Sequence, residues 1–216
     1  MDFYTRLLPR ATKKALEFLS KADWLKNSDW YLAGGTALAL SMGHRVSMDL
    51  DFFSSQKTFL PQEVIRHFSD EVWHGDVVKE GTLYGKLFGA KVSFIAYPFF
   101  IPKAPVLRYG TVRVLPPEDI AVMKIIAISQ RGKKRDFLDL YWYVQHQESL
   151  AEVLKRLPEQ YPTVAHDYHH ILKSLTYFAD AEEDPMPKLF FKANWKEIKT
   201  FFQKEVTRIA KERWGE

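Results

Sequence analysis

The sequence contains no cysteine, and this absence excludes several chemistries at once. Disulfides, thiolate nucleophiles, zinc fingers and iron–sulfur clusters all need that side chain. Any bound metal must therefore be held by oxygen or imidazole groups. No uncharged apolar run reaches the roughly 18 residues that a membrane-spanning helix needs, and Asp2 without a following apolar run does not resemble a signal peptide. We therefore expect a cytoplasmic protein with no membrane partner.

Internal repeats and low-complexity segments are also missing, so neither a repeat array nor a disordered chain is expected. The 216 residues are 46% hydrophobic and 15% aromatic, which suits one domain with a sizeable core and an appendage. Lys and Arg number 31 against 27 Asp and Glu, and the sequence pI is about 9.0. This small basic excess permits an anionic partner without identifying one.

Short β-rich runs and helical patterns alternate up to about residue 97, whereas the pattern beyond Pro116-Pro117 is helical. Strands are predicted at 30–33, 48–53, 76–79, 82–88, 91–97 and 106–115. Helices are predicted at 11–21, 36–42, 61–73, 118–129, 135–145, 150–157, 164–179 and 195–213. This order predicts an α/β (α+β) fold, with a mixed sheet in residues 1–115 and a helical region in residues 116–216 that completes a cleft.

A strand that ends at Ala33 runs into Gly34-Gly35 and then into a helix that starts at Thr36. The bare amide groups and the positive end of the helix dipole at such a turn suit a phosphate. Glycine also allows a ligand to approach closely. A tight strand-to-helix turn without a ligand has the same local pattern, so the Gly-Gly turn alone leaves both interpretations open.

Asp49 and Asp51 lie two residues apart in the next predicted strand. Alternate residues of a strand face the same side, so both carboxylates project together while Leu50 and Phe52 face the core. Two like charges repel unless a cation lies between them, and closely spaced oxygen ligands suit Mg²⁺ or Mn²⁺. The alternative is an exposed strand with two solvated acids.

The helix predicted at 118–129 is apolar on every side except at Lys124, in the run Ile-Ala-Val-Met-Lys-Ile-Ile-Ala-Ile. Such a helix is expected to be buried, and a lysine is rarely buried without a partner. Its stem could snorkel so that the ammonium group reaches the surface. Alternatively, the ammonium group reaches into a cleft and contacts triphosphate oxygens.

The helix predicted at 135–145 carries charged residues beside its apolar stripe. Arg135 and Asp139 are spaced for an i,i+4 ion pair, and Asp136 lies near the N-terminus, where an acid stabilises the helix dipole. A solvated, charged first turn would explain all three residues. The functional alternative is that Arg135 neutralises a leaving group.

The string from Leu32 to Phe53 resembles the AbiEii/AbiGii toxin family of nucleotidyltransferases, whose pattern is Gly-Gly, a spacer and Asp-x-Asp. The strings 118–124 and 134–141 are similar to downstream motifs of the same family, in the same order. The resemblance covers roughly residues 31–143, about half of the chain. It implies a minimal nucleotidyltransferase core of the polymerase-β type, which would transfer a nucleoside monophosphate to an acceptor hydroxyl and release pyrophosphate.

The resemblance also implies roles for individual residues. Asp49 and Asp51 would hold Mg²⁺ or Mn²⁺. The catalytic residues would be Asp49, Asp51, Lys124 and Asp139. The nucleotide-binding residues would be Gly34, Gly35, Thr36, Arg45, Ser47, Lys124, Arg135 and Asp136. The implied partners are a nucleoside triphosphate, RNA or tRNA as the acceptor, and a separate antitoxin protein.

Ser93 departs from the family pattern. A third carboxylate commonly follows on a later strand, and the strand predicted at 91–97 has this serine where an acid is expected. The departure favours a rival hypothesis, a catalytically weak module that binds a triphosphate without forming product. A second rival is a phosphotransferase, which uses similar phosphate contacts to transfer the γ-phosphate.

Two further features have simpler explanations than a functional site. His166, His169 and His170 lie near Asp167 without an acidic partner motif, so we expect ordinary surface histidines of a helix rather than metal ligands. The segment 188–213 mixes basic and aromatic residues and could contact RNA. At helical spacing, however, aromatic side chains usually belong to the core, with the lysines at its rim.

Overall fold

The computed structural model describes residues 3–214, and side chains as far as residue 212. The strands are β1 Tyr31–Ala33, β2 Leu50–Ser54, β3 Trp73–Lys79, β4 Thr82–Leu87, β5 Ala90–Ala96, β6 Leu107–Tyr109 and β7 Val112–Val114. The helices are α1 Arg10–Leu19, α2 Asp23–Lys26, α3 Gly34–Met42, α4 Pro61–Ile65, α5 Pro117–Arg131, α6 Lys134–His146, α7 Leu150–Lys155, α8 Leu157–Gln160, α9 Tyr168–Ser174, α10 Ala179–Glu182 and α11 Trp195–Trp214. None of the helices in this part of the chain is long and apolar enough to cross a membrane.

The strands form one mixed sheet in the order β3-β4-β5-β2-β1-β7-β6. β2 is antiparallel to β1 and parallel to β5, and β1 is parallel to β7. An antiparallel meander, β3-β4-β5, forms one edge, and the β6-β7 hairpin forms the other. The predicted fold class, a mixed sheet followed by a helical region, is confirmed.

The two faces of β2 differ as its alternating sequence predicts. Leu50 and Phe52 are fully buried on one face, where the ring of Phe52 stacks on that of Phe94 with centroids 5.0 Å apart. Asp51 points to the opposite face, next to Ser93 of β5. The core therefore lies behind β2, and a polar surface lies in front of it.

The helical region packs directly on the sheet region. Leu32 of β1 and Ile120 of α5 belong to one hydrophobic cluster that also includes Phe137 and Phe202. The rings of Phe137 in α6 and Phe202 in α11 lie 5.5 Å apart, edge to face. All described strands precede residue 115, but the hydrophobic core crosses the predicted boundary at 115/116.

The helix predicted at 61–73 was too long. α4 ends at Ile65, because the chain turns and Trp73 pairs with Leu87 as the first residue of β3. Phe68, which would continue the helix, instead stacks on Trp73 with ring centroids 5.1 Å apart. Long-range strand pairing therefore overrides the local helical pattern, which is a common outcome for weak propensities.

Two other predicted elements differ in the structure: one strand is divided and one helix is shorter. The strand at 106–115 is a hairpin, because Gly110, with φ of 59°, makes a turn between β6 and β7. The helix at 164–179 begins only at Tyr168, where the Asp167 carboxylate accepts the N–H of His170 at 3.0 Å. Asp167 is thus an N-cap residue, a signal that was present in the sequence.

Asp119 connects the proline-rich crossing at 98–105 to α5. Its Oδ2 accepts the N–H groups of Lys103 at 2.9 Å and Ala104 at 3.2 Å, and the side-chain amide of Gln160 donates to its Oδ1. Burial raises the pKa of Asp119, while these hydrogen bonds act in the opposite direction. The carboxylate therefore satisfies backbone donors that have no place in a helix or strand.

Asp119→Ala is expected to lower the free energy of unfolding by about 1–3 kcal/mol, because two N–H groups and one amide lose their acceptor. Chemical denaturation with a spectroscopic readout measures the change. Glu118→Ala removes an acid from the same helical turn and serves as the control. Equal midpoints for the two variants would show that the Asp119 hydrogen bonds contribute nothing measurable.

Candidate active site

A cleft of about 420 Å³ opens between the polar face of the sheet and α5. Most of the predicted site residues line it, namely Gly34, Gly35, Thr36, Arg45, Ser47, Asp49, Asp51, Lys124 and Arg135. Asp136 and Asp139 do not line it, and both are 0% exposed. The fold therefore brings the Gly-Gly turn, the Asp-x-Asp strand and the α5 lysine to one cavity.

The glycine turn places the N-terminus of α3 at the cleft. Gly34 has φ of 70°, in the left-handed region that favours glycine. A Cβ atom at Gly34 would lie 3.3 Å from Oδ2 of Asp51, and one at Gly35 would lie 2.2 Å from Nη2 of Arg45. A side chain at either position would therefore crowd Asp51 or Arg45, and the glycines leave room for both. The free N–H groups of α3, which attract anions, lie at this turn.

The loop between α3 and β2 is held in place from two sides. The hydroxyl of Thr36 donates to the backbone oxygen of Asp49 and lies 2.8 Å from the hydroxyl of Ser47. On the other side, the N–H of Val46 donates to the backbone oxygen of Lys188 at 3.0 Å. The loop that carries the basic and acidic site residues is therefore fixed by both α3 and the C-terminal segment.

Asp49 and Asp51 face the same cleft, as their spacing predicts. The Ser93 hydroxyl donates to Oδ1 of Asp51 at 2.7 Å. Burial is the main cause that raises the pKa of Asp51, and the charge of Asp49 adds to it, whereas the Ser93 hydrogen bond opposes them. Asp49 is 33% exposed and lies 3.6 Å from Nη1 of Arg135. Burial and the charge of Asp49 thus disfavour the ionised form of Asp51.

Lys124 does not snorkel to the surface, since it is only 4% exposed. Its Nζ lies 2.7 Å from Oδ1 of Asp136 and 2.7 Å from Oδ2 of Asp139. The lysine therefore lies between two buried carboxylates behind it and the cleft in front of it. This pairing explains how an otherwise apolar helix can contain a buried ammonium group.

Asp139 is the centre of a buried charge cluster. It accepts hydrogen bonds from Nε of Arg45 at 2.6 Å and from Nη2 of Arg45 at 2.8 Å, and it lies 2.7 Å from Nε2 of His44. Burial would raise the pKa of Asp139, but the charges of Arg45 and Lys124 hold it well below its usual range. Burial also lowers the pKa of His44, so we take its imidazole as neutral at pH 7. The bidentate contact fixes Arg45 at the cleft wall.

The structure decides between the alternatives that the sequence left open for α6. Its first turn is not solvated at Asp136, which is fully buried and accepts hydrogen bonds from Lys124 at 2.7 Å and from Nε of Arg131 at 3.0 Å. The expected pair of Arg135 and Asp139 does not form, since Asp139 is occupied by Arg45. With both carboxylates buried behind the cleft wall, Asp136 and Asp139 are placed to hold cations rather than to touch a nucleotide.

Several residues line the cleft without a sequence pattern that predicts their place there. Arg131 lies in the basic turn at 130–134, where its charge was visible but its contact with Asp136 was not. Phe53, Tyr97 and Tyr161 line one end of the cleft and come from β2, the end of β5 and the end of α8. No local pattern could have joined these aromatic residues, because only the fold brings their segments together.

The histidine segment and the C-terminal aromatic residues have ordinary surroundings. His166 and His170 lie near backbone oxygens, and no group of three or more His, Cys, Asp or Glu that could hold a metal occurs in the described part of the chain. Phe202 is 0% exposed, in agreement with a core helix. Phe190, in contrast, is 47% exposed and contacts the ammonium group of Lys188.

Gly35→Ala is expected to weaken triphosphate binding by at least about tenfold, because the new methyl group would displace the Arg45 guanidinium, which Asp139 holds by charge-assisted hydrogen bonds worth about 1.5–3 kcal/mol each. Calorimetric titration with a triphosphate measures the effect. Gly89→Ala strains a glycine turn outside the cleft, where φ is 82°, and therefore controls for a general loss of stability. Unchanged affinity in Gly35→Ala would remove this glycine from the phosphate site.

Comparison with known proteins identifies a family and similar folds. The sequence profile of the family described as Nucleotidyl transferase AbiEii toxin, Type IV TA system matches residues 17–214. An uncharacterized protein of Aquifex aeolicus (strain VF5) is 35% identical over 185 residues, which are 83% of this chain and 87% of that protein. Similar folds occur in a presumed nucleotidyltransferase from H. pylori (TM-score 0.53, 19% identity, 92% of this chain and 96% of that one) and in MenT4, the nucleotidyltransferase toxin Rv2826c from Mycobacterium tuberculosis H37Rv (TM-score 0.51, 13% identity, 91% and 82%). At these identities the two structures show a shared fold.

Proposed function

The chain belongs to the AbiEii family of nucleotidyltransferase toxins, as its motifs predict, and from that membership we propose a metal-dependent transfer of a nucleoside monophosphate to an RNA hydroxyl. The protein is a nucleotidyltransferase. The observation that carries the proposal is the convergence of Asp49, Asp51, Lys124 and the α3 N-terminus on one cleft. The metal, the RNA acceptor and the antitoxin are the proposed parts.

The donor set in the cleft fits a divalent cation. Asp49 and Asp51 offer hard carboxylate oxygens of the kind that Mg²⁺ prefers. Burial is the main cause that raises the pKa of Asp51, and the charge of Asp49 adds to it. The charges of Arg135 and Lys124 lower this pKa but do not restore its ordinary value. We therefore assign Asp49 and Asp51 as the residues that would hold Mg²⁺ or Mn²⁺.

When bound, the metal would supply charge stabilisation at the α-phosphoryl group and orient the triphosphate. The amide groups of Gly35 and Thr36 at the α3 N-terminus bind phosphate oxygens, assisted by the Ser47 hydroxyl. Lys124, Arg45 and the half-exposed Arg135 neutralise the pyrophosphate that leaves. Asp136 and Asp139 are positioning residues, because they hold Lys124 and Arg45 in place at the cleft wall.

The proposed reaction forms a bond between the acceptor oxygen and the α-phosphorus. The bond from the α-phosphorus to the α,β-bridging oxygen breaks, and pyrophosphate leaves with the electron pair. The acceptor hydroxyl loses its proton to water or to a cleft carboxylate. Ser93, which replaces an expected third acid, cannot take that proton as a carboxylate would, but its hydroxyl orients Asp51.

A second groove supports a nucleic-acid acceptor, such as tRNA. It has a volume of about 520 Å³ and shares Arg45, Ser47, Asp49, Arg131 and Arg135 with the cleft. Its further lining includes Lys133, Lys188, Asp184 and the exposed side chains of Met48 and Met186. Cations that contact phosphates beside apolar surface that contacts bases are typical of single-stranded nucleic-acid sites. The partner that neutralises the toxin is proposed to be a separate antitoxin protein.

Incubation with each α-labelled triphosphate, Mg²⁺ and total RNA tests the proposal directly. We expect label in RNA with the wild-type protein and a loss of at least about 100-fold for Asp49→Asn, because one metal ligand is removed. Asp70→Asn removes a charge from an exposed position outside the cleft and serves as the control.

Three other outcomes would contradict the proposal. Triphosphate binding without labelled product would favour the nucleotide-binding module that Ser93 suggests. In a parallel incubation with γ-labelled triphosphates, label in the product from these but not from the α-labelled triphosphates would identify a phosphotransferase. Equal product from wild type and Asp49→Asn would reject the metal assignment.

A further inference from the structure

The end of the cleft beyond Asp51 carries aromatic and apolar side chains on its sheet side rather than charged ones. Phe53, Ile95 and Tyr97 line it from the sheet side, and Tyr161 lines it from the helical side. Phe53 and Ile95 are register partners on β2 and β5, so they form one continuous surface. Phosphate groups need none of these side chains, so the aromatic end is available to another part of the ligand.

Three of these side chains remain partly exposed toward the cleft. Phe53, Ile95 and Tyr97 are half-buried, although the fold offers a large core in which apolar groups could pack. The Tyr97 ring packs edge to face on three rings, with centroids 5.6 Å from Phe53, 5.7 Å from Phe99 and 6.3 Å from Tyr161. These contacts, a favourable arrangement of aromatic pairs, hold the Tyr97 ring in one orientation.

The position of this aromatic end relative to the phosphate site fits one nucleotide. At a rise of roughly 3.3 Å per residue, Phe53 lies about 7 Å along β2 from Asp51. The α3 N-terminus lies at the Asp51 end of β2, since Ala33 is the register partner of Asp51 and Tyr31 that of Phe53, so Phe53 lies on the side away from the Gly-Gly turn. A nucleotide whose ribose lies next to Asp51 would thus place its base at the aromatic end of the cleft.

We propose that the aromatic end, defined as Phe53, Ile95, Tyr97 and Tyr161, is the subsite for the base of the nucleoside triphosphate, which stacks on the Tyr97 ring. The inference rests on the proposed function and adds to it the place and mode of base recognition. Stacking is available to every base because each has an aromatic face. The subsite should therefore strengthen the binding of all four nucleoside triphosphates relative to inorganic tripolyphosphate, which has no base.

Calorimetric titration with Mg²⁺, tripolyphosphate and the α,β-methylene analogues of the four nucleoside triphosphates tests the subsite. Tyr97→Ala is expected to weaken binding of the nucleotide analogues by roughly ten- to a hundredfold, with the tripolyphosphate affinity unchanged. Tyr97→Phe retains the ring and should retain nucleotide affinity. Tyr84→Ala is the matched control, since Tyr84 lines the same cleft on the side of β4, next to Ser93.

Each contrary result has a distinct meaning. Equal losses of nucleotide and tripolyphosphate affinity in Tyr97→Ala would overturn the subsite by showing that the ring only supports the fold of the cleft. Wild-type protein that binds nucleotides no better than tripolyphosphate would overturn it too, and so would a selective loss in Tyr84→Ala instead. Failure of wild type to bind either ligand would overturn the proposed function itself and the subsite with it.

Discussion

Asp139→Asn is expected to lower the free energy of unfolding by about 3–5 kcal/mol at neutral pH, the cost typical of breaking a buried ion pair. The Asp139 carboxylate is 0% exposed and contacts Arg45, Lys124 and His44. Asparagine has a similar shape but no charge, so Arg45 would lose its carboxylate partner, and Lys124 would keep only Asp136, which also pairs with Arg131. The charge cluster would then hold an uncompensated cation away from water.

The same substitution should change the pH dependence of stability in a defined direction. The pKa of Asp139 in the folded protein is held well below its usual range. A depressed folded pKa contributes stability that is fully present above the unfolded value of about 3.9 and is lost as pH falls through the folded pKa. The difference between wild type and Asp139→Asn should therefore be constant above about pH 5 and shrink in more acidic solution.

Denaturation midpoints measured from neutral to acidic pH test this expectation. Asp70→Asn, the exposed control, should match wild type throughout. A stability loss below about 1 kcal/mol in Asp139→Asn would be the size expected for an exposed ion pair and would contradict the buried cluster. The cluster also fixes Arg45 and Lys124 at the cleft, so triphosphate affinity should fall together with stability.

Local sequence pattern was sufficient to place the Gly-Gly turn between β1 and α3 and to give Asp49 and Asp51 a common direction. Alternate residues of a strand face one side, so that direction could be derived before any fold was known. The helix around Lys124 was expected to be buried because it is apolar on its other sides, but the sequence left open whether the ammonium group reaches the surface or the cleft. These inferences needed only neighbouring residues.

Contacts between distant segments could not be derived in that way. Arg45 and Asp139 are separated by 94 positions, and nothing in either local sequence identifies the other as its partner. Helical spacing instead favoured Arg135 as the partner of Asp139, which the structure contradicts. Tyr97 and Tyr161 are 64 positions apart, and they meet only because α8 packs beside the end of β5. The aromatic end of the cleft was therefore invisible to any periodic pattern.

Asp51→Asn is expected to abolish nucleotidyl transfer, with a loss of at least about 100-fold, and yet to raise the stability of the metal-free protein. Both effects follow from the same charge. Ionised Asp51 is disfavoured by burial and by Asp49, as its raised pKa shows. Asparagine removes that repulsion and can still accept the hydrogen bond from Ser93, but it loses the anionic oxygen that a metal requires.

The pH dependence of the free energy of unfolding tests the sign of this stability effect. An acid whose pKa is raised in the folded state costs stability above that pKa and costs none once it is protonated in both states. The advantage of Asp51→Asn should thus grow as pH rises from about 4 through the folded pKa of Asp51. Mg²⁺ with a triphosphate should raise the Tm of wild type and leave that of Asp51→Asn nearly unchanged.

Growth of a bacterial host provides the functional readout. Expressed without an antitoxin, wild type should slow growth, and Asp51→Asn at an equal soluble level should not, because the variant is folded but cannot position the triphosphate. Asp70→Asn should remain as toxic as wild type. Equal growth inhibition by wild type and Asp51→Asn would contradict a catalytic toxin, because the more stable, metal-deficient protein would then be harmful for a reason other than transfer.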